Sequence, residues 1–302
     1  MTLDATRDKD HCCNMTAPIL TYKPEPSAAT IQLPTGSTDS HVHVFGPSNK
    51  FPYAASRGFT PVDAPKEALF AWHKKMGIDR CVIVNTLLHG FDNSVVEDAM
   101  IAAPGRYLGV ALVQVDVSDA ELKRLASVGF RGVRFHFMPG YKVHETPEQI
   151  ISFTKRLEPL GMHMQLQLHA QYAKDLMPLL KQSAVPVIMD HMGRVDAKLG
   201  IEHAHFQDFC RLLELPGFMV KVSGIDRIDA HPPYADGIPF ARYLVRNYPD
   251  RCVWGSDWPH PNHTHVPDDG VLVSALAQIA PKPDVLHQLM VDNPMRLYRF
   301  SA

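Results

Sequence analysis

Two histidines near the start of the chain are spaced for shared chemistry. His41 and His43 lie two residues apart in TDSHVHVFGP, so on a β-strand both side chains project to the same side. Imidazole can ligate a metal ion, carry a proton or donate a hydrogen bond while neutral. The chain holds 17 histidines against 30 lysines and arginines. This pair predicts a reactive site, although a pair of histidines can also serve core packing alone.

Further polar residues stand at the carboxyl ends of the other candidate strands. They are Arg134 and His136, Gln167 and His169, Asp190 and His191, Lys221 and Ser223, Arg227 shortly after the seventh strand, and Asp257 and His260 at the eighth. In a parallel barrel these ends meet at one face, where catalytic residues lie. Each residue also has a structural explanation, such as a cap, a turn or a surface ion pair. Their recurrence at one end of successive strands favours a catalytic floor.

Short β-branched segments alternate with segments of helical period, which is typical of repeated βα units. The predicted strands are Asp39–Phe45, Arg80–Asn85, Tyr107–Val113, Gly132–Phe137, Met164–His169, Val187–His191, Phe218–Ser223 and Cys252–Ser256. The predicted helices are Lys66–Met76, Asn93–Ala102, Asp119–Val128, Pro147–Leu160, Ala173–Leu180, His205–Leu213, Phe240–Asn247, Val271–Ile279 and Val285–Met290. Eight such strands predict an α/β protein with a single (β/α)8 TIM barrel over residues 37–302.

The alternative fold is an open, doubly wound sheet. That fold usually carries a glycine-rich phosphate turn after its first strand, and this chain has TDSHVHVFGP there instead. Residues 1–36 contain several prolines and little apolar periodicity, which predicts a surface arm rather than a domain. The segment from His260 to Asp269 predicts an active-site loop.

The charge and composition of the chain limit the kinds of partner and environment that we expect for it. With 30 basic and 32 acidic residues the formal charge is 30 − 32 = −2, and no basic block predicts nucleic-acid binding. No apolar run approaches the roughly 20 residues that cross a bilayer, and the charged start MTLDATRDKDHCC does not resemble a signal peptide. The five cysteines form no CxxC pair, so no disulfide framework is predicted. We expect a cytoplasmic protein; the sequence leaves its oligomeric state open.

Several strings resemble the amidohydrolase superfamily, in its amidohydrolase-2 branch. They are TDSHVHVFGP, DHMGR, KVSG, WGSDWPHPN and DNPMRLY, and the likeness runs from about Thr38 to Phe300. HVFGP, RG-x-RF and VPDDG are most similar to the 2-pyrone-4,6-dicarboxylate lactonases of that branch. The resemblance implies a hydrolase that opens a cyclic ester in aromatic-compound catabolism.

The resemblance also implies residue roles. Asp257 would be the general base that activates water, and His41, His43 and His191 would polarise the lactone carbonyl. Arg134 and Arg227 would hold substrate carboxylates. We also place Gln167, His169, Ser223 and His260 among the substrate-binding candidates. The predicted partner is therefore a small anionic lactone.

Two positions depart from the pyrone dicarboxylate lactonases. Those enzymes carry an arginine where this chain has Gly140 and a tyrosine where it has Gln167, and both help to hold the dicarboxylate. Their absence leaves room for a different substrate, such as a muconolactone, a sulfomuconolactone or a sugar lactone.

Metal use is a separate question. The pyrone dicarboxylate lactonases are metal-independent, whereas most of the superfamily binds a divalent ion. This chain carries the implied ligands His41, His43, His191 and Asp257, with His169 as a further candidate, so zinc or manganese stays open.

Two other functions stay open. The first is a metal-dependent, non-oxidative decarboxylase of the same branch, which would use the same aspartate. The second is a catalytically silent barrel that binds a small anion.

Overall fold

A computed structural model describes residues 17–137, 145–263 and 265–300. Within them, eight parallel strands pair in sequence order. They are β1 Thr38–Val42, β2 Arg80–Val84, β3 Tyr107–Ala111, β4 Phe130–Phe137, β5 His163–Leu168, β6 Val187–Met189, β7 Phe218–Val222 and β8 Cys252–Trp254. Just beyond β8, the Asp257 N–H donates to the His41 carbonyl at 2.8 Å and the His43 N–H to the Trp258 carbonyl at 2.7 Å. These bonds join the ends of β8 and β1, and the predicted (β/α)8 barrel is confirmed.

Helices cover the outside of the sheet. They are α1 Lys66–Met76, α2 Ser94–Ala102, α3 Asp119–Val128, α4 Pro147–Leu157, α5 Ala173–Leu180, α6 Ala204–Leu213, α7 Ile225–Ile228, α8 Ile238–Asn247, α9 Asp269–Ser274, α10 Leu276–Ile279, α11 Pro283–His287 and α12 Asn293–Tyr298. Local signals fix several ends. The Ser118 hydroxyl caps α3 by accepting from the Glu121 N–H, and Gly129 ends that helix in the left-handed region.

The predicted strands run too far at their carboxyl ends. β6 ends at Met189 rather than His191, and β8 ends at Trp254 rather than Ser256. Beyond both strands the backbone turns into the left-handed region, at His191 (φ 50°) and Asp257 (φ 69°), which is incompatible with a strand. The helices α7 and α12 were not predicted.

The amino end of the barrel is filled by apolar side chains. Ile188, Met219 and Val253 pack together there. Beside them, the chain end brings Tyr298 and Phe300 against inward residues of β2 and β3. These residues close one end of the barrel, where His163 at the start of β5 lies 5.6 Å from the Tyr298 ring, and the candidate site residues lie at the other end.

The middle of the segment 17–36 lies against the loop that follows β8. Lys23 forms an ion pair with Asp268 at 3.1 Å, the Ser27 hydroxyl donates to Asp268 at 2.9 Å, and the Tyr22 ring stands 5.0 Å from that of Trp258. The predicted arm begins earlier, and its residues 1–16 lie outside the described residues. In the described part of the chain, no helix has both the length and the apolar character to span a membrane.

Candidate active site

Three imidazoles converge on one carboxylate oxygen at the carboxyl end of the barrel. Asp257 Oδ1 lies 3.2 Å from His43 Nε2 and 3.6 Å from His41 Nε2. His191 Nε2 lies 3.9 Å from the same oxygen. All four side chains are buried. Residues from β1 and from the ends of β6 and β8 therefore meet at one point, as the sequence predicted.

Unusual backbone geometry brings two of these residues into place. Asp257 and His191 have φ values of 69° and 50°, which only a few per cent of non-glycine residues adopt. Such conformations cost about 1–3 kcal/mol each and persist where surrounding contacts enforce them. At Asp257 the enforcing contacts are backbone bonds: its N–H donates to His41, and its carbonyl accepts from His260 at 2.7 Å.

The second oxygen of Asp257 is held by Arg227. The guanidinium Nε donates to Oδ2 at 2.6 Å, and Nη2 contacts the same oxygen. Nη2 also donates to the Pro261 carbonyl at 2.9 Å. Burial alone would raise the pKa of Asp257, but Arg227 and the imidazoles outweigh it and hold that pKa well below its usual range. Asp257 is thus an ionised carboxylate with Oδ1 turned to the histidines.

Contacts at Nδ1 orient two of the rings. His43 Nδ1 lies 2.7 Å from the Val84 carbonyl, which can only accept, so Nδ1 carries the proton. Burial lowers the pKa of His43, so its ring is neutral and Nε2 presents a lone pair. His191 Nδ1 pairs with the Ser223 hydroxyl at 2.9 Å.

A buried ion network lies beneath the imidazoles. Arg134 Nε donates to Asp190 Oδ2 at 2.8 Å, and Lys221 Nζ donates to Gln165 at 2.6 Å. Lys221 also lies 3.3 Å from His41 Nδ1. Burial, partly offset by Asp190, lowers the pKa of Lys221 to about 7, and burial together with Lys221 lowers the pKa of His41 to about 3. Neutral His41 is the form that can ligate a metal or donate to a substrate.

A cavity of about 680 Å³ opens above Asp257. Its polar lining includes His43, His136, Gln167, His191, Asp257 and the arginines Arg134, Arg194 and Arg227. Its apolar lining includes Phe59, Leu87 and Phe91, and the last two are 39% and 49% exposed. The volume suits a small ring compound. Sequence reasoning missed Arg194 as a lining residue, although it ends the DHMGR string.

Several predicted substrate contacts lie elsewhere. Ser223 is buried and supports His191 rather than lining the cavity. His260 is also buried, and its Nε2 lies 3.0 Å from Asp269. His169 lies past the end of β5, beside the Tyr172 ring. Gly140 lies outside the described residues.

The four convergent residues fit a divalent ion, because two of their buried ring nitrogens have no hydrogen-bond donor to pair with in the ranges that the structure describes. Among the described residues, His41 Nε2 has no hydrogen-bond partner although it is buried. The lone pair of His43 Nε2 faces an ionised oxygen at 3.2 Å, an arrangement that a shared cation would stabilise. Ligand atoms of His41, His43 and Asp257 lie within 4.8 Å of one another. His169 belongs to no such group in the described part of the chain.

With this geometry in view, the chain can be placed among known proteins. The profile of the amidohydrolase-2 family, described as Amidohydrolase, matches residues 38–300. The chain belongs to this amidohydrolase family. The prediction made from its strings is confirmed.

Several related proteins are named as lactone hydrolases. The chain is 39% identical over 290 residues to the 2-pyrone-4,6-dicarboxylate hydrolase of Comamonas testosteroni, covering 92% of this chain and 95% of that protein. It is 37% identical to the 4-sulfomuconolactone hydrolase of Hydrogenophaga intermedia, covering 88% and 89%. A solved structure of a probable 2-pyrone-4,6-dicarboxylic acid hydrolase from Acinetobacter baumannii, with citric acid bound, superposes with a TM-score of 0.79 at 27% identity, covering 88% of this chain and 100% of that chain. These relatives agree with the predicted class of hydrolase.

Proposed function

We propose that this amidohydrolase hydrolyses a carboxylated lactone, with Asp257 as the base that activates water. The observation that carries the proposal is the convergence of three imidazoles on Asp257 Oδ1 beside an arginine-lined cavity. The names of the relatives, hydrolases of a pyrone dicarboxylate and of sulfomuconolactone, support the substrate class.

The reaction follows from the two oxygens of Asp257. Because Arg227 occupies Oδ2, the oxygen left to take a proton from water is Oδ1. The resulting hydroxide attacks the lactone carbonyl carbon, and the carbonyl oxygen gains a negative charge that His191 stabilises through Nε2–H, with its Nδ1 accepting from the Ser223 hydroxyl. Collapse of the tetrahedral intermediate breaks the ring C–O bond. The proton held by Asp257 passes to the departing oxygen, and the new carboxylic acid ionises and releases one proton to solvent.

The charges of the cavity match an anionic ring compound. Arg134 and Arg194 line it together with Arg227, and a guanidinium suits a carboxylate or a sulfonate. Arg134 already donates to Asp190 through Nε and to Gln167 through Nη2, so Nη1 is the nitrogen left to meet substrate. Leu87 and Phe91 would cover the apolar face of the ring. A carboxylated lactone, with the pyrone dicarboxylate and the muconolactones as representatives, satisfies both requirements.

We further propose that His41, His43, His191 and Asp257 can hold a divalent ion, with zinc or manganese as the candidates. A bound ion would lower the pKa of water and polarise the carbonyl. In that arrangement, Arg227 still orients Asp257. The Ser223 hydroxyl still orients His191, and the Val84 carbonyl still orients His43.

The test is a panel assay with the purified full chain. Pyrone dicarboxylate, muconolactone, sulfomuconolactone and an uncharged lactone are supplied separately, and a pH-stat and mass spectrometry follow the reaction. We expect one proton released per turnover and a product heavier by one water, from the charged lactones only. Release of CO2 would instead identify a decarboxylase, and binding without turnover would identify a silent barrel.

Two variants make this assay specific. Asp257→Asn keeps the size of the side chain and removes the base, so turnover should fall by about 10²–10⁴-fold. Asp250→Asn is the matched control, because Asp250 is an exposed aspartate whose carboxylate lies 3.6 Å from Arg251. Near-normal turnover by Asp257→Asn would remove Asp257 as the base.

A further inference from the structure

A second group of buried histidines and carboxylates lies near Asp257. Asp226 stands on α7, and His260 and His263 lie in the loop that follows β8. Ligand atoms of these three residues lie within 4.8 Å of one another. The lactone hydrolysis proposed above does not use them.

Several polar atoms of this group lack partners. Among the described residues, Asp226 Oδ1, His260 Nδ1 and His263 Nδ1 have no hydrogen-bond partner. The side chains of Asp226 and His263 are 0% and 2% exposed, so bulk water does not supply the missing bonds. Buried polar atoms without partners are rare in proteins, and a cation bound among them is one way in which such atoms are satisfied.

The orientation of His260 points to a cation. Its Nε2 lies 3.0 Å from Asp269 Oδ1, and both side chains are fully buried. A carboxylate that accepts from one ring nitrogen leaves the other nitrogen as a donor to metal, a pattern common around metal-ligating histidines. The nitrogen left over is Nδ1, which belongs to the group without partners.

The other two donors stand close together. His263 Nε2 lies 2.5 Å from Asp226 Oδ2. His265 adds a fourth nitrogen, since its Nε2 lies 3.9 Å from the same oxygen, and neither of its ring nitrogens has a partner among the described residues. Three imidazoles and one carboxylate are a donor set that Zn²⁺ binds in tetrahedral geometry.

We propose that Asp226, His260 and His263, with His265 as fourth ligand, bind a divalent metal ion of the zinc type at a site separate from that of Asp257. Arg227 distinguishes the two sites, because it follows Asp226 in the chain while its guanidinium pairs with Asp257. An ion here would tie the loop after β8 to α7. It would thereby fix the helix that presents Arg227 to the base.

The test compares the zinc content of full-length variants. Each protein is stripped with a chelator, dialysed against Zn²⁺ and desalted, and its bound zinc is counted by mass spectrometry. We expect His263→Gln to bind one zinc fewer per chain than the wild type, whatever the Asp257 site holds. His231→Gln is the matched control, because His231 is 94% exposed, and it should bind as much as the wild type.

A milder variant covers the case in which His263→Gln does not fold. The side chain of His265 is 22% exposed, so His265→Gln should keep the fold and weaken zinc binding about 10–100-fold in a competition assay with a chromogenic chelator. Equal zinc counts in wild type and His263→Gln, or an unchanged zinc affinity in His265→Gln, would overturn the site. Neither readout depends on lactone hydrolysis.

Discussion

Arg227 donates from Nε to Asp257 Oδ2 at 2.6 Å, and this contact assigns the two oxygens of the carboxylate to different tasks. One oxygen is held by the guanidinium, and the other faces three imidazoles. The sequence predicted Arg227 as a ligand of the substrate carboxylate, which on its own would affect KM. The contact with Asp257 implies an effect on the chemical step as well.

Replacing Arg227 with methionine should lower kcat. The Arg227→Met variant loses the bonds that orient Asp257, and misplacing a catalytic group by about 1 Å can cost roughly 10²-fold in rate. Because Arg227 also lines the cavity, KM should rise as well. Steady-state kinetics on the preferred lactone measures both parameters.

The control for that variant is Arg211→Met, in which a surface arginine is lost. Arg211 lies on α6, and its side chain is 61% exposed, so both kinetic parameters should stay at their wild-type values. A raised KM with unchanged kcat in Arg227→Met would show that Arg227 serves only substrate binding.

The hydroxyl of Ser223 should act through His191. Its Oγ lies 2.9 Å from Nδ1, so Ser223→Ala should leave the ring less well oriented and lower kcat about tenfold. His191→Asn should cost about 10²-fold or more, because it removes the ring itself. Because both substitutions disturb the same Ser223–His191 pair, the losses of kcat should not add in the double variant. Additive losses would instead show that Ser223 acts independently of His191.

Removing metal should show whether hydrolysis needs a bound divalent ion or whether Asp257 and the imidazoles suffice. If His41, His43, His191 and Asp257 hold a divalent ion, dialysis against a strong chelator should remove it together with most of the activity, and zinc or manganese should restore both. The matched variant His43→Gln should fail to regain that ion while still regaining any ion bound by Asp226. Full activity at no detectable metal would show that Asp257 and the imidazoles suffice.

Protonation of His163 should make folding sensitive to acid. Burial, with Lys221, lowers the pKa of His163 to about 3, against about 6.5 in the unfolded chain. The unfolded state therefore binds more protons between these values, and stability is lost as the pH falls below 6.5. At pH 5 the loss from this residue is about 2 kcal/mol.

The measurement is urea unfolding at pH 7 and pH 5. The difference in unfolding free energy between the two pH values should shrink by about 2 kcal/mol in His163→Asn. The exposed His231→Asn should show the wild-type difference. If the difference in unfolding free energy between pH 7 and pH 5 is the same in His163→Asn as in the wild type, His163 is not held neutral in the folded protein.

Gly255 should control the closure of the barrel. A β-carbon there would lie 2.6 Å from His41 Cβ and 2.9 Å from the His41 backbone nitrogen. Gly255→Ala must therefore push β8 away from β1, at a cost of about 1–3 kcal/mol. Asp257 should move with β8, so activity should fall too. Gly58→Ala, where a β-carbon would meet nothing within 4 Å, should leave the melting temperature unchanged.

The bounds of some helices and strands could be predicted from the sequence, and those of others could not. Lys66–Met76, Asp119–Val128 and Ala173–Leu180 match their predicted bounds, because local periodicity and caps fix helices. The ends of β6 and β8 were predicted too long, since the turns at His191 and Asp257 depend on contacts with other strands. Local sequence contains no signal for such tertiary contacts.

By itself, the sequence determined the barrel, through its alternation of strands and helices, and the family, through strings such as TDSHVHVFGP and DHMGR. Strand order and the two-residue period placed many polar residues at the carboxyl end, and the resemblance to the family singled out four of them. Only the tertiary structure decided which partner each polar group takes. Arg227 could have met a substrate, and His260 could have lined the cavity, yet one holds Asp257 and the other pairs with Asp269. These choices depend on side-chain directions beyond the strand ends, where left-handed turns replace the regular alternation of a strand.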